Sequence, residues 1–129
     1  MKKIKKGKLF VFSAPSGTGK TTIIKNVLNE HPEFAFSISA TTRERRSTEI
    51  DSIDYFFLSV DEFLNKIDND EFLEWNKHFD YYYGTLKDFV FDRINAGISI
   101  VLEVDVKGAI NIKEAYTDSV LIFISPPSI

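Results

Sequence analysis

Cysteine is absent from the 129-residue chain, so disulfides and thiolate metal sites are excluded. Basic charge is not in excess either: 16 Lys and Arg stand against 19 Asp and Glu. The resulting net charge of -3 provides no overall basic surface of the kind that grips nucleic acid. No apolar run approaches a membrane span, and Leu9 to Phe12 is too short for the core of a signal peptide. Repeats, low-complexity tracts and linkers are likewise missing. Nucleic acid and membranes are therefore not expected partners, and the cytoplasm is the expected compartment. The oligomeric state is not readable. Lys2, Lys3, Lys5, Lys6 and Lys8 form the one local charge bias. A solvated tail before the first strand is the plainer reading of it, a membrane-surface or polyanion patch the other.

What is present suits a folded α/β chain. Hydrophobic residues make up 43% of the sequence, enough for one core, and the length is too short for two comfortable domains. Leu9 to Phe12 is a continuous apolar run stopped by Ser13, Ala14 and Pro15, as expected of a strand buried on both faces. Ile23, Ile24, Val27 and Leu28 recur at helical spacing, which predicts a helix from near Lys20 that fades before Pro32. Phe36 to Ser39 alternates like a strand, residues 41–54 read as a polar loop, and Tyr55 to Leu58 reads as another strand. Ser59 followed by Glu62 is a capping box for a helix carrying Phe63, Leu64 and Ile67. After an aromatic stretch from Trp75 to Tyr83, Thr85 can cap a helix carrying Phe89, Val90 and Ile94, with Gly97 as its stop. Ile98 to Val104 and Val120 to Ile124 read as interior parallel strands, joined by a helix from about Lys107 to Ala115. The order predicts one domain: a mostly parallel sheet flanked by helices, formed by residues of about 7–39 and 86–129, with a small mixed α/β lobe inserted at about 40–85.

Ala14, Pro15, Ser16, Gly17, Thr18, Gly19, Lys20 and Thr21, with Thr22 after them, match G-x-x-x-x-G-K-[ST] except that Ala14 replaces the first glycine. Gly17 and Gly19 still allow backbone N–H groups to turn inward around phosphates. Lys20 adds a point charge, the Thr21 hydroxyl suits a magnesium ion, and the helix N-terminus favours the same anion. A buried strand before the loop and an amphipathic helix after it are the context such a P-loop needs. The loop names no acceptor, because the same cradle serves hydrolases, kinases and switches.

The segments S-A-P-S-G-T-G-K-T-T, S-I-S-A-T-T-R-E-R-R, D-Y-F-F, E-F-L-E-W, Y-Y-G-T and L-E-V-D-V-K-G-A occur in that order and at separations that closely resemble the guanylate kinase family, from about Gly7 to Ser128. The resemblance implies a P-loop NTPase-like fold, a GMP-binding lobe, and transfer of the γ-phosphoryl group of ATP to GMP with Mg2+. It implies that Arg43 and Arg46 hold the acceptor phosphate with help from Tyr55 and Tyr83; Arg45 lies between them. A dianion suits such forked, permanently charged donors. It further implies that Glu74 reads the guanine N1–H and 2-amino donors, with Ser39 and Thr85 facing the oxygen and Glu49 and Asp54 supporting the site. Glu103 and Asp105, at the carboxyl end of a strand, are implied to contact the acceptor nucleotide, with Asp105 reaching Mg2+ through water. Lys20, Arg43, Arg46 and Asp105 are the residues implied to act in the transfer itself.

Ser52, where the family commonly has glycine, and Lys107, where it commonly has glutamine, depart from the pattern. Family members also continue past the P-P-S segment into a lid helix with arginines and a last core strand. A fragment that is poorly active without its lid, with an exposed sheet edge, is therefore expected. The alternative is a guanylate-kinase-like module that binds partner proteins; intact phosphate-loop residues and Arg43, Arg46 and Glu74 speak against it.

Overall fold

The computed structural model describes residues 5–13 and 20–124. Its elements are β1 (Leu9–Ser13), α1 (Lys20–Glu30), β2 (Ala35–Phe36), β3 (Ala40–Thr41), β4 (Phe56–Phe57), α2 (Val60–Asp68), β5 (Phe72–His78), β6 (Tyr81–Leu86), α3 (Lys87–Asn95), β7 (Ile100–Val104), α4 (Val106–Ala115) and β8 (Val120–Phe123). They form a mixed α/β fold that divides into two compact units, one of residues 1–37 and 90–129 and one of residues 38–89.

The first unit holds a parallel sheet of order β2-β7-β1-β8. Phe10 and Phe12 on β1 pack with Val101 on β7, Ile122 on β8, and Ile24, Val27 and Leu28 of α1. This is the apolar stripe that the helical spacing predicts. Leu9, Val11, Ile100 and Leu102, on the alternate face, are buried as completely, which explains why both strands read as unbroken apolar runs. β8 is not interior among the described residues: it pairs with β1 alone, and Phe123 is exposed. Apolar composition does not separate a central strand from one of this kind.

The second unit holds a mixed sheet of order β4-β3-β6-β5, in which β3 and β4 run parallel and the other neighbours antiparallel. Its core is Ala40, Phe63 and Phe72, with Phe56, Leu58, Ile67, Tyr82 and Leu86 around them. The helix α2 starts as its capping box dictates: Glu62 N–H donates to Ser59 Oγ (3.1 Å) and Ser59 N–H donates to Glu62 Oε1 (2.9 Å). Those donors hold the Glu62 carboxyl below its ordinary pKa, the Ser59 backbone N–H contributing most. At the end of α3, Gly97 adopts φ 84°; its N–H bonds to Ile94 O, and Ile98 N–H bonds to Arg93 O, closing a Schellman stop.

Two of these expectations are corrected, and a stretch the sequence left unassigned gains a structure. The strand predicted over Phe36–Ser39 is two short strands, because Ala35–Phe36 pairs with β7 whereas Ala40–Thr41 pairs with β4 and β6. The aromatic stretch is a β-hairpin. It lacks clean alternation because Phe72 and Leu73 are both buried, and the register shifts between Phe72, opposite Leu86, and Glu74, opposite Thr85. Thr85 lies in β6 rather than capping α3, which begins only after Leu86.

Gly84 is forced by this hairpin. A Cβ there would come within 2.8 Å and 2.9 Å of the Phe72 ring and 3.1 Å of the Glu74 carbonyl oxygen. That ring cannot swing aside, since it stacks on Phe63 at 4.4 Å. Gly84→Ala is therefore expected to destabilise the second unit by about 1–3 kcal/mol. Urea unfolding followed by fluorescence of Trp75, the sole tryptophan, measures this, and an unchanged midpoint would show that Phe72 yields.

Candidate functional site

The implied site residues fall in both units. Ala14 to Gly19 and the side chains of Lys20 and Thr21 lie outside the described residues; Thr22 sits exposed in the first turn of α1. The frame around them is described. Ser13, the residue before the glycine segment, lies opposite Val104, the residue before Asp105. Parallel pairing of β1 and β7 thus brings the start of the phosphate loop and Asp105 to one end of the sheet, where doubly wound folds bind ligands.

Asp105 has a structural duty as well. It is the N-cap of α4, with extended backbone (φ -74°, ψ 173°), and its Oδ1 accepts from Gly108 N–H at 2.7 Å. The cap follows a recognisable signal, an acid at the end of an apolar strand just before a helix. Glu103 is half-buried in β7.

In the second unit, alternation divides the sheet into two faces. Ala40, Phe56, Phe72, Tyr82 and Leu86 turn to the core. The opposite face carries Tyr55, Thr41, Tyr83, Thr85 and Glu74, by the pairings Thr41–Tyr83 and Glu74–Thr85. The Tyr55 and Tyr83 rings meet edge-on at 6.4 Å. Thr85 is fully buried, and its hydroxyl donates to Glu74 Oε1 at 2.9 Å. An acid and a hydroxyl joined in this way can accept hydrogen bonds from a base edge, and the one Thr85 hydroxyl proton is committed to Glu74 in place of the guanine oxygen it was expected to face. Ser39 stands just before β3, its carbonyl accepting from Phe56 N–H.

Arg43 is held from several sides. Its Nη1 and Nη2 donate to Glu49 Oε1 (3.0 Å) and Oε2 (2.8 Å), Nη1 also donates to Glu44 O (3.0 Å), and the guanidinium lies over the Tyr55 ring at 5.2 Å. Both side chains are largely shielded, at 13% and 15% exposure. Glu49 accepts in addition from Arg46 N–H at 2.8 Å. Bonding to Arg43 first, and to the Arg46 backbone second, pushes the Glu49 carboxyl down to about 2 from 4.5. The same pairing raises the Arg43 pKa further above its already high value. The Arg46 side chain is solvent-facing and makes no hydrogen bond among the described residues; Arg45 instead donates to Glu49 O at 2.7 Å, a scaffold contact. The arrangement keeps one guanidinium oriented and another available to an anion.

Asp54 and Asp51 shape the loop beside this cluster. Asp54 Oδ2 accepts from Ile50 N–H at 2.7 Å, and Asp51 Oδ1 accepts from Phe57 N–H at 2.9 Å. Between them Ser52 adopts φ 67°, in the left-handed region that favours glycine. Asp51 was missed as a functional support; an acid six residues before the amide it accepts from leaves no local spacing signal.

Comparison with known proteins identifies the family. The family model for guanylate kinase matches residues 6–129. The chain is 48% identical to the guanylate kinase of Thermotoga maritima over 95% of its own length and 59% of that protein. It is 50% identical to that of Bacteroides thetaiotaomicron, covering 95% and 61%. The crystal structure of guanylate kinase from Anaplasma phagocytophilum superposes with a TM-score of 0.73 at 33% identity, covering 96% of this chain and 62% of that one. The fold is a mixed α/β one with a parallel sheet flanked by helices. The chain belongs to the guanylate kinase family, and it spans about 60% of the length of the curated relatives it matches.

Two outcomes follow. Because the folded-state pKa of Glu49 is depressed, its stabilisation is complete above 4.5 and is lost as pH falls toward about 2. The gap in urea midpoint between wild type and Glu49→Gln is therefore expected to close over that window; a gap independent of pH would remove the ionic account. Ser52→Gly is expected to raise stability by about 0.5–1 kcal/mol through relief of the left-handed backbone, read by the same unfolding curve.

Proposed function

We propose that the protein is a cytoplasmic guanylate kinase that transfers the γ-phosphoryl group of ATP to the phosphate of GMP, yielding ADP and GDP. The observation that carries this reading is the sheet face of the second unit that lies opposite its apolar core. There a Glu49-held Arg43, with Arg46 and the Tyr55–Tyr83 pair, can grip an acceptor phosphate, and the Glu74–Thr85 pair can read guanine. Guanine presents N1–H and a 2-amino group where adenine has neither donor, so AMP would lose the hydrogen bonds that guanine can make to the Glu74 carboxylate.

In the transfer, the glycine segment and Lys20 hold the ATP phosphates, as the matching motif implies. Arg43 fixes the nucleophilic phosphate oxygen in line, and Arg46 offsets its charge. Glu49 acts through Arg43 as a positioning residue. Positioning and charge neutralisation suffice, because phosphoryl transfer needs no covalent enzyme intermediate.

Magnesium would arrive with ATP and supply charge compensation between the phosphates. Among the described residues no group of three or more His, Asp or Glu side chains is gathered that could hold a metal ion. Asp105 has one oxygen committed to Gly108, and the other would suit a hydrated ion; the motif implies that the Thr21 hydroxyl would hold the ion directly.

Calorimetric titration with GMP and AMP, beside a coupled assay with Mg-ATP, tests the proposal. AMP is expected to bind at least about a hundredfold more weakly than GMP. Arg43→Ala is expected to weaken GMP binding by about ten- to a hundredfold. Equal binding of AMP would remove the guanine assignment. Failure to bind Mg-ATP would favour a protein-binding module.

A further inference from the structure

The row of side chains that begins at Glu74 does not end there. On β5 the residues of the same face are Glu74, Asn76 and His78, opposite Thr85, Tyr83 and Tyr81 of β6. Thr85 at one end of this row is buried, whereas Asn76 and His78 are exposed and Tyr81 is 41% exposed, so the face opens beyond Glu74. Same-face neighbours on a strand stand roughly 6.5 Å apart, comparable with the length of a fused purine ring. A base bonded at Glu74 therefore lies beside Asn76, whereas His78, roughly 13 Å along from Glu74, is out of its reach.

Counting donors indicates what Asn76 would meet. The guanine edge carries N1–H and both protons of the 2-amino group. A carboxylate facing that edge takes N1–H and the nearer amino proton, and Glu74 Oε1 already accepts from Thr85. The farther amino proton is left without an acceptor on Glu74. The carboxamide of Asn76 offers one, and its cross-strand partner Tyr83 is occupied on the Tyr55 side.

We propose that Asn76 is a further specificity-determining residue, whose side-chain oxygen accepts the second 2-amino proton of the acceptor guanine and so separates GMP from a 6-oxopurine nucleotide without that group. This rests on the Glu74–Thr85 face being the guanine site.

The test is calorimetric titration of wild type, Asn76→Ala and Glu74→Gln with GMP and with inosine monophosphate, which differs only in lacking the 2-amino group. Asn76 is exposed, so Asn76→Ala is expected to keep its fold, checked by an unchanged Trp75 unfolding curve. Asn76→Ala is expected to weaken GMP binding by about three- to tenfold and to leave inosine monophosphate binding unchanged. Equal weakening of both nucleotides, or no change in either, would overturn the role of Asn76. Glu74→Gln should weaken both, because both carry N1–H; if it weakens neither, the guanine site itself is misplaced, a failure separate from that of Asn76.

Discussion

Between Phe72, opposite Leu86, and Glu74, opposite Thr85, β5 carries one residue more than its partner, and because side chains alternate at each step the shift sends Phe72 and Glu74 to opposite faces. Without it, Glu74 would share the face of Phe72 and meet Phe63, where an ionised carboxylate has no donor and its burial is costly. With it, Phe72 stacks on Phe63 over Gly84 while Glu74 reaches the Thr85 hydroxyl. Packing and recognition thus share one constraint. The apolar core sets where Phe72 must lie, and the additional residue, Leu73, is itself buried, so the bulge costs little apolar surface.

The anion grip beside that face works by a different balance. A lone arginine would wander among rotamers and lose entropy on meeting a phosphate. Glu49 removes that freedom in advance with two parallel hydrogen bonds, and Tyr55 supports the flat side of the guanidinium. The carboxylate also cancels charge that an incoming dianion would use. Arg46 compensates: its backbone N–H stabilises Glu49 while its side chain remains turned to solvent. One residue therefore serves the scaffold with its main chain and, under the proposed function, would serve the anion with its side chain.

How far the sequence discloses this varies with the range of the interaction involved. Elements closed by local bonds were legible: the Ser59–Glu62 box and the Gly97 stop sit where spacing puts them. The parallel sheet was legible from apolar runs, although the single-partner pairing of β8 was not, because composition reports burial and not neighbours. The hairpin from Phe72 to Leu86 was hidden by its own bulge, which breaks the period of two on which strand reading depends. For the site, the identities of Arg43, Glu74 and Thr85 came from resemblance to a family, and the geometry supplies what resemblance lacks: which oxygen of Glu49 meets which nitrogen, and that Thr85 bonds to Glu74 instead of capping α3. Ser52 gains a physical meaning in the same way, since its φ of 67° accounts for the suitability of glycine there.

Asp105 shows how a fold can place a functional group at no additional structural cost. The backbone leaving β7 must turn into α4, and the first amides of α4 need an acceptor in any case. An aspartate at that point satisfies Gly108 N–H with one oxygen, which fixes the rotamer of the carboxylate and so orients the other. Pairing of Ser13 with Val104 then sets this oriented group at the sheet end from which the phosphate loop departs. Asparagine would cap α4 about as well. The charge also favours the positive end of the α4 dipole, and under the proposed function the oxygen not bonded to Gly108 would in addition serve a magnesium–nucleotide complex.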